Sequence, residues 1–298
     1  MTPLITIFTP TYNRAHTLPQ LYKSLCRQTC KDFTWSIVDD GSSDNTEGII
    51  NQWTEESMID ISYVKQANGG KMRAHNHGVR ICTTPLFVCV DSDDYVTDSF
   101  VEEIKASWLP FLSDNSLAGI IAYKSIKGED GEYRVRCSFP FSGKSTQSHL
   151  YQSGFFGDLT IVFKTDVIKK FPFLEVEGEN FSTEDYAYDQ IDEEYQYILV
   201  DKAWTLCEYM PDGYSQAEKL LYTKNPKGWA LFYNQKAKFT HTYFSKRKLG
   251  YGILYMIFAR RAGFKNIFKQ SELKTPLYPF FWLLSYYYEW KWREKYPK

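Results

Sequence analysis

The stretch Leu86-Phe87-Val88-Cys89-Val90-Asp91-Ser92-Asp93-Asp94 decides how the rest of this 298-residue chain is read. Five apolar residues in succession, at strand length, describe a parallel strand covered on both faces, and that strand runs directly into three carboxylates. In an open parallel sheet the carboxyl ends of the strands are where ligands bind, and Asp91 and Asp93, two apart on extended backbone, project to one side. Acids this close repel one another unless a cation sits among them. A hard divalent ion such as Mg2+ or Mn2+ suits all-oxygen ligation, holding one or two carboxylates together with substrate phosphates. The competing reading is purely structural: Asp93 or Asp94 caps a helix that begins near Thr97.

Upstream, the same strand-loop-helix unit repeats. Residues 4–9 read as a strand that Pro10, Tyr12 and Asn13 break into a loop, and Leu18, Leu21, Tyr22 and Leu25 then recur at helical spacing. Residues 33–38 form a second strand ending in Asp39-Asp40-Gly41-Ser42-Ser43-Asp44, where Asp44 and Glu47 have the spacing of a capping box. Residues 61–64 give a third strand, Asn68-Gly69-Gly70 a turn, and residues 73–81 a helix leading to the strand quoted above. Four strands alternating with helices imply a doubly wound α/β sheet whose strand-end loops converge on one edge. Lys71 and Arg73, after a flexible Gly-Gly turn, are placed to reach a phosphate group as cations.

Those loops carry a specific resemblance. Thr9-Pro10-Thr11-Tyr12-Asn13-Arg14, Val38-Asp39-Asp40-Gly41-Ser42-Ser43-Asp44, Asn68-Gly69-Gly70 with Asn76, and Val90-Asp91-Ser92-Asp93-Asp94 resemble, in order, the motifs of family 2 glycosyltransferases. The resemblance implies the A-type (GT-A) nucleotide-diphosphosugar transferase fold, a doubly wound mixed sheet. It also implies a UDP-sugar donor held by Thr9, Pro10, Tyr12, Arg14, Asp40, Asn68, Lys71, Asn76, Asp91 and Ser92. Asp40 would accept the N3 proton of uracil, and Asp93, with Asp91 and Asp94, would ligate Mn2+ or Mg2+. His75 stands before Asn76 where the family often has arginine, which leaves open what replaces that guanidinium.

Beyond a helix at residues 98–108 and a strand at 117–123 the regular alternation stops, and acceptor specificity is expected there. Residues 160–163 and 197–200 read as further strands, and Thr183 precedes a Glu184-Asp185 pair. Such a pair at a helix start ordinarily complements the helix dipole. In inverting members of the family an acidic pair here supplies the general base, so the resemblance assigns that role to Asp185, with Glu184 orienting it or the acceptor. Tyr209-Met210-Pro211-Asp212-Gly213-Tyr214-Ser215 reads as a closing loop. No Gln-x-x-Arg-Trp element follows, which favours addition of one sugar over processive synthesis.

The expected organisation is a catalytic domain at 1–215, with a nucleotide-sugar half at 1–110 and an acceptor half at 111–215, and a mainly helical extension at 216–298. From Lys236 to Lys298 there are 14 Lys and Arg against 3 acids, in a chain whose net charge is only -1. The body is therefore acidic, which argues against nucleic acid, while the basic and aromatic tail suits an anionic membrane surface or, alternatively, a second subunit. No apolar run approaches the roughly 20 residues that span a bilayer. Six cysteines without a CxxC pair read as free thiols in a reducing cytosol. The expected protein is thus a peripheral enzyme on the inner face of the plasma membrane, adding a sugar to a hydroxyl of a glycan, lipid-linked in bacterial surface polysaccharide assembly. Its rivals are a catalytically silent nucleotide-sugar-binding scaffold and a sugar-phosphate nucleotidyltransferase. The latter should carry a glycine-rich loop after strand one, and Thr9 to Arg14 contains no glycine.

Overall fold

A computed structural model of the chain describes residues 3–208, 218–240, 246–275 and 278–295. The closing loop expected at Tyr209 to Ser215 lies outside these residues. The elements run β1 (Ile5–Thr11), α1 (Leu18–Cys26), β2 (Phe33–Asp39), α2 (Thr46–Glu56), β3 (Ile61–Lys65), α3 (Lys71–Ile81) and β4 (Leu86–Cys89). The strand and helix spans expected in this region agree to within two residues at each end. Next come β5 (Tyr95–Val96), α4 (Phe100–Trp108), β6 (Leu117–Lys127), β7 (Tyr133–Arg134), β8 (Gly143–Ser145), α5 (Gln147–Gln152), β9 (Leu159–Lys164), α6 (Thr165–Ile168), α7 (Asp185–Asp192) and β10 (Gln196–Cys207). Five helices follow: α8 (Glu218–Lys224), α9 (Pro226–Phe239), α10 (Lys246–Arg261), α11 (Ile267–Gln270) and α12 (Tyr278–Lys295).

The sheet has the order β3-β2-β1-β4-β9-β6-β10-β5. The first four strands are parallel, β9 lies antiparallel between β4 and β6, and β10 is parallel to β6. This is the mixed, doubly wound sheet expected. The chain leaves β1 toward β2 and β3 and then returns to place β4 on the other flank, so the winding reverses between β1 and β4. In open α/β sheets ligands bind outside the strand ends at such a reversal.

Burial follows the strand pattern. β1 is buried along its whole length, and Ile5, Ile7, Trp35, Ile37, Leu86 and Val88 share one core with the inner faces of α1 and α4. Full burial of each such side chain is worth about 1.5–3 kcal/mol. α3 lies close on β1 because Gly78 has no side chain: a Cβ there would stand 2.2 Å from the Phe8 ring.

Two local expectations fail. Asn45, not Asp44, precedes α2, and Asp44 instead accepts from the N–H and hydroxyl of Thr46 while Glu47 pairs with Lys65 at 2.8 Å, so no capping box forms. Neither Asp93 nor Asp94 caps a helix, because the two-residue β5 intervenes and α4 begins after Ser99.

The compact units also divide differently from 1–215 and 216–298. One comprises Met1–Pro172 and Gln190–Pro211, and contains the whole sheet; the other comprises Phe173–Asp189 and Asp212–Lys298. In the second unit α10 is buried nearly all round, with Ile253, Tyr255, Met256, Ile257 and Phe258 in a core shared with Ala230 of α9 and Phe281 of α12. A helix buried nearly all round is a core element, so the basic and aromatic composition of this part of the tail does not make α10 a surface helix. Among the described residues no helix is long and apolar enough to cross a membrane.

Candidate active site

Three strand-end loops of the sheet unit are fastened to one another by short polar side chains. Asn13, in the left-handed region at φ 54, accepts from the N–H groups of Ser43 and Asp44, and its own N–H donates to Ser42 Oγ at 2.8 Å. The β1 and β2 loops therefore hold each other. Asp39, fully buried, accepts from Ser42 N–H at 2.7 Å and from the Tyr63 hydroxyl at 2.9 Å, which is turn duty. Asp40 draws in the third loop: Oδ1 accepts from Gln66 and Gly69 N–H, and Oδ2 from Gly70 N–H at 2.7 Å. Gly70 sits at φ 96, a conformation that favours glycine. Three donors leave the Asp40 carboxylate one of its roughly four acceptor positions.

The other donor-site candidates differ in exposure. Tyr12 is 49% exposed at the loop tip, and Arg14 is half-buried. Thr9 is fully buried, with its hydroxyl accepting the Trp35 indole N–H at 3.0 Å, so it secures β1 to β2 and does not face a ligand. Pro10, Asn76 and Ser92 are buried as well, whereas Asn68 is exposed, its side-chain amide donating to the Asp40 carbonyl.

At the end of β4 the carboxylates alternate with lysines. Lys71, opening α3, binds Asp91 Oδ1 at 2.8 Å; Lys124 of β6 binds Asp94 at 2.8 Å and lies 3.9 Å from Asp91 Oδ2. Burial alone would raise the Asp91 carboxyl, but the two lysines outweigh it and hold it at about 2. Burial works against the Lys124 ammonium too, yet Asp94 and Asp91 raise it above the ordinary lysine range. Asp93 has no lysine beside it in this chain of pairs. Burial, then the charges of Asp91 and Asp94, push it up, and Arg14 is near enough to oppose them. Lys124 escaped the sequence reading because the expected strand stopped at residue 123; a lysine inside a strand this apolar was the available signal.

His75, where an arginine was looked for, is buried between Phe8 and Phe87, edge-on to both rings at 5.6 and 5.4 Å. Burial and then the Lys71 charge lower it to about 3, so it is a neutral imidazole at pH 7 and supplies no replacement cation.

Among the described residues no three His, Cys, Asp or Glu side chains are grouped to hold a metal ion. A cage made of Asp91, Asp93 and Asp94 does not fit, since two of the three already hold ammonium groups. A single carboxylate completing a shell of phosphate oxygens does fit at Asp93, whose upward shift a cation would relieve.

Glu184 and Asp185 belong to the second unit. Asp185 opens α7 and is exposed, and its N–H donates to Thr183 Oγ1 at 3.3 Å. Glu184 is half-buried and accepts from the Tyr188 hydroxyl at 3.4 Å.

Known proteins resemble the chain at several levels. Validoxylamine A glucosyltransferase of Streptomyces hygroscopicus subsp. jinggangensis is 33% identical over 109 residues, 35% of this chain and 25% of that protein. The chain spans 25–30% of the length of such curated relatives. Among solved structures, Staphylococcus aureus TarS 1–349 in complex with UDP-GlcNAc matches with a TM-score of 0.63 at 18% identity, over 94% of this chain and 79% of that one. The mannosyltransferase PcManGT of Pyrobaculum calidifontis, in complex with GDP-Man and Mn2+, matches with a TM-score of 0.52 at 17% identity, over 79% of this chain and 64% of that one. The fold is thus the GT-A fold expected. The profile of glycosyl transferase family 2 covers residues 6–169, more than half of the chain, through β1, the Asp40 loop, β4 with its acids, and β9. The chain belongs to glycosyl transferase family 2.

Proposed function

We propose that the chain is an inverting glycosyltransferase that moves one sugar from a UDP-sugar to an acceptor hydroxyl. The observation that carries this reading is the convergence at the β1–β4 reversal of the loop tied by Asp40, Lys71 and the Asp91–Asp94 turn, inside a family 2 chain. In this reading uracil stacks on Tyr12 and gives its N3 proton to the remaining acceptor position of Asp40. Lys71, whose ammonium holds Asp91 at 2.8 Å at the start of α3, would meet the diphosphate as a cation. Asp93 would hold Mn2+ or Mg2+, which when bound neutralises charge on the leaving diphosphate. Support for the metal comes from the Asp93 environment and from Mn2+ in the PcManGT complex.

The acceptor hydroxyl attacks the anomeric carbon from the face opposite the diphosphate. As its oxygen bonds to that carbon, the bond to the diphosphate oxygen breaks, and Asp185 takes the hydroxyl proton. UDP departs with the electron pair. The acceptor is proposed to be a lipid-linked glycan, with the exposed aromatic and basic parts of the second unit resting on an anionic membrane surface.

The test is a thermal-shift panel of UDP-glucose, UDP-galactose and UDP-GlcNAc with and without Mn2+, since stabilisation grows with ligand concentration over its dissociation constant. Selective stabilisation followed by Mn2+-dependent release of UDP, lost on chelation, is expected. Binding with no UDP release under any condition would favour the silent scaffold instead.

A further inference from the structure

Lys236 enters the sequence reading only as the first charge of the basic tail. In the structure it lies on α9, and its Nζ donates to Asp189 Oδ1 at 2.7 Å, with little of either side chain exposed. Asp189 is one helical turn beyond Asp185, so the two carboxylates occupy the same face of α7. Burial works against the Lys236 ammonium, but Asp189, and to a lesser degree Asp185, raise it above the ordinary lysine value. The neighbouring residue of α9 adds a second hold: Gln235 Nε2 donates to the Tyr186 carbonyl at 2.7 Å, in the first turn of α7.

The segment that leads into α7 is fastened to the other end of the same helix. Glu179, 6% exposed, accepts from the N–H groups of Lys227 and Gly228 at 2.7 and 2.8 Å, placing a carboxylate at the start of α9, where those groups have no partner within the helix. Asn225 Oδ1 accepts in return from the N–H groups of Asn180 and Phe181. α9 therefore grips the chain on both sides of Glu184 and Asp185. It is itself set by α10, through Trp229 and Tyr233 against Phe258.

We propose that Lys236 is a positioning residue for the reaction, fixing the acidic face of α7 so that the Asp185 carboxylate points at the acceptor hydroxyl. The proposal rests on the reading of Asp185 as the base. Lys236 touches neither donor nor acceptor in this account; it acts through Asp189 and the set of the helix. A burial-only role would be served by any apolar chain of similar length, whereas positioning by an ion pair requires a cation.

The experiment uses the full chain and the UDP-sugar that stabilises it most in the panel above, with UDP release to water as the readout and UDP binding measured by calorimetry. Lys236→Met is expected to lower turnover by about 10- to 10²-fold, the scale of a small misplacement of a reacting group, with UDP affinity within about twofold of the parent. Lys236→Arg should restore most of the loss. Adding Lys236→Met to Asp185→Asn should cost nothing further, because its effect runs through that carboxylate. Parental turnover in Lys236→Met, no rescue by Arg, or a further loss on top of Asp185→Asn would each overturn the proposal. If Lys236→Met does not fold, Asp189→Asn breaks the same contact from the other side, and parental turnover there overturns it equally. Failure of the base itself is read separately, as parental turnover in Asp185→Asn alone.

Discussion

The donor-side loops and the Asp185 segment both present carboxylates, but they are held in opposite ways. At the strand ends the holders lie in the same motif or a neighbouring one: Asp39 grips Ser42 within its own loop, Asn13 grips Ser43, and Asp40 grips Gly69 and Gly70. Before and along α7 the holders come from α9 and the Asn225 that precedes it, 44 to 49 residues further along the chain. A motif that carries its own fastenings survives changes elsewhere. One that borrows them from a helical core should fail when that core is disturbed, and it should fail in turnover before it fails in nucleotide binding.

The sharpest break between the two regions is Asp185→Asn. A general base typically contributes about 10²–10⁴-fold, so turnover should fall on that scale while UDP affinity stays near its original value. Near-normal UDP release in this variant removes Asp185 from the base role, and Glu184 becomes the residue to test.

Next in size is a change made far from any carboxylate. Phe258 of α10 is 1% exposed and lies against Tyr222, Trp229 and Tyr233. Phe258→Ala should destabilise by about 3–5 kcal/mol. In chemical denaturation, followed by tryptophan fluorescence, this should appear as an early transition, with turnover lost across it and UDP binding persisting. A single transition that abolishes both together would show that the two units unfold as one, and the contrast drawn above would not hold. This outcome also bears on truncation: removing residues from Lys246 onward deletes the core of the second unit, so the truncated chain should keep UDP binding and lose transfer.

A smaller effect is expected at Asp93, where the donor side can be tested by itself. Lys71 and Lys124 already neutralise Asp91 and Asp94. Asp93→Asn should therefore weaken UDP binding by about tenfold when Mn2+ or Mg2+ is present, the size of one lost charge-assisted contact, and leave binding in chelator unchanged. Calorimetry that finds equal weakening with and without metal takes Asp93 out of the ligand set.

The contrast in fastening also explains what could be read before the fold was known. β1 to β4 and their helices follow from local period and turn residues, and the acids at Asp91 to Asp94 are placed by the strand that precedes them. The capping box at Asp44 failed because Thr46 and Ala15 compete for its oxygens and Lys65 draws Glu47 away, contacts invisible at the level of spacing. β5 is two residues long, below any useful period. Lys124 and Lys236 were out of reach for a different reason: each acts on a carboxylate 30 and 47 residues away, across elements that sequence spacing does not bring together. Composition misled most in the tail, where basic and aromatic residues alternate alike in a buried helix, α10, and in a half-exposed one, α12.

That last difference sets the final and smallest effect. Several tail cations are committed inside the unit: Arg260 and Arg261 to Glu289 at 2.6 and 3.0 Å, and Lys248, 8% exposed, to the Thr240 carbonyl. Exposed lysines and arginines stand at Lys246, Arg247, Lys265 and Lys269, and Lys291 is exposed with its ammonium over the Tyr287 ring at 5.3 Å. α12 buries Phe281, Ser285 and Glu289 and leaves Phe280, Leu283, Tyr287 and Trp290 between 47% and 70% exposed, spaced three, four and three residues apart along one side of the helix. Aromatic rings with nearby cations suit a bilayer interface, where each basic residue contributes on the order of 1 kcal/mol within a Debye length. Leu283→Ser with Trp290→Ala should therefore reduce co-sedimentation with phosphatidylserine vesicles at low salt, and leave UDP binding and UDP release to water unchanged. If the parent chain itself ignores the vesicles while sedimentation equilibrium shows a dimer that these two substitutions dissociate, the row on α12 is a subunit contact, and the membrane reading of the second unit falls.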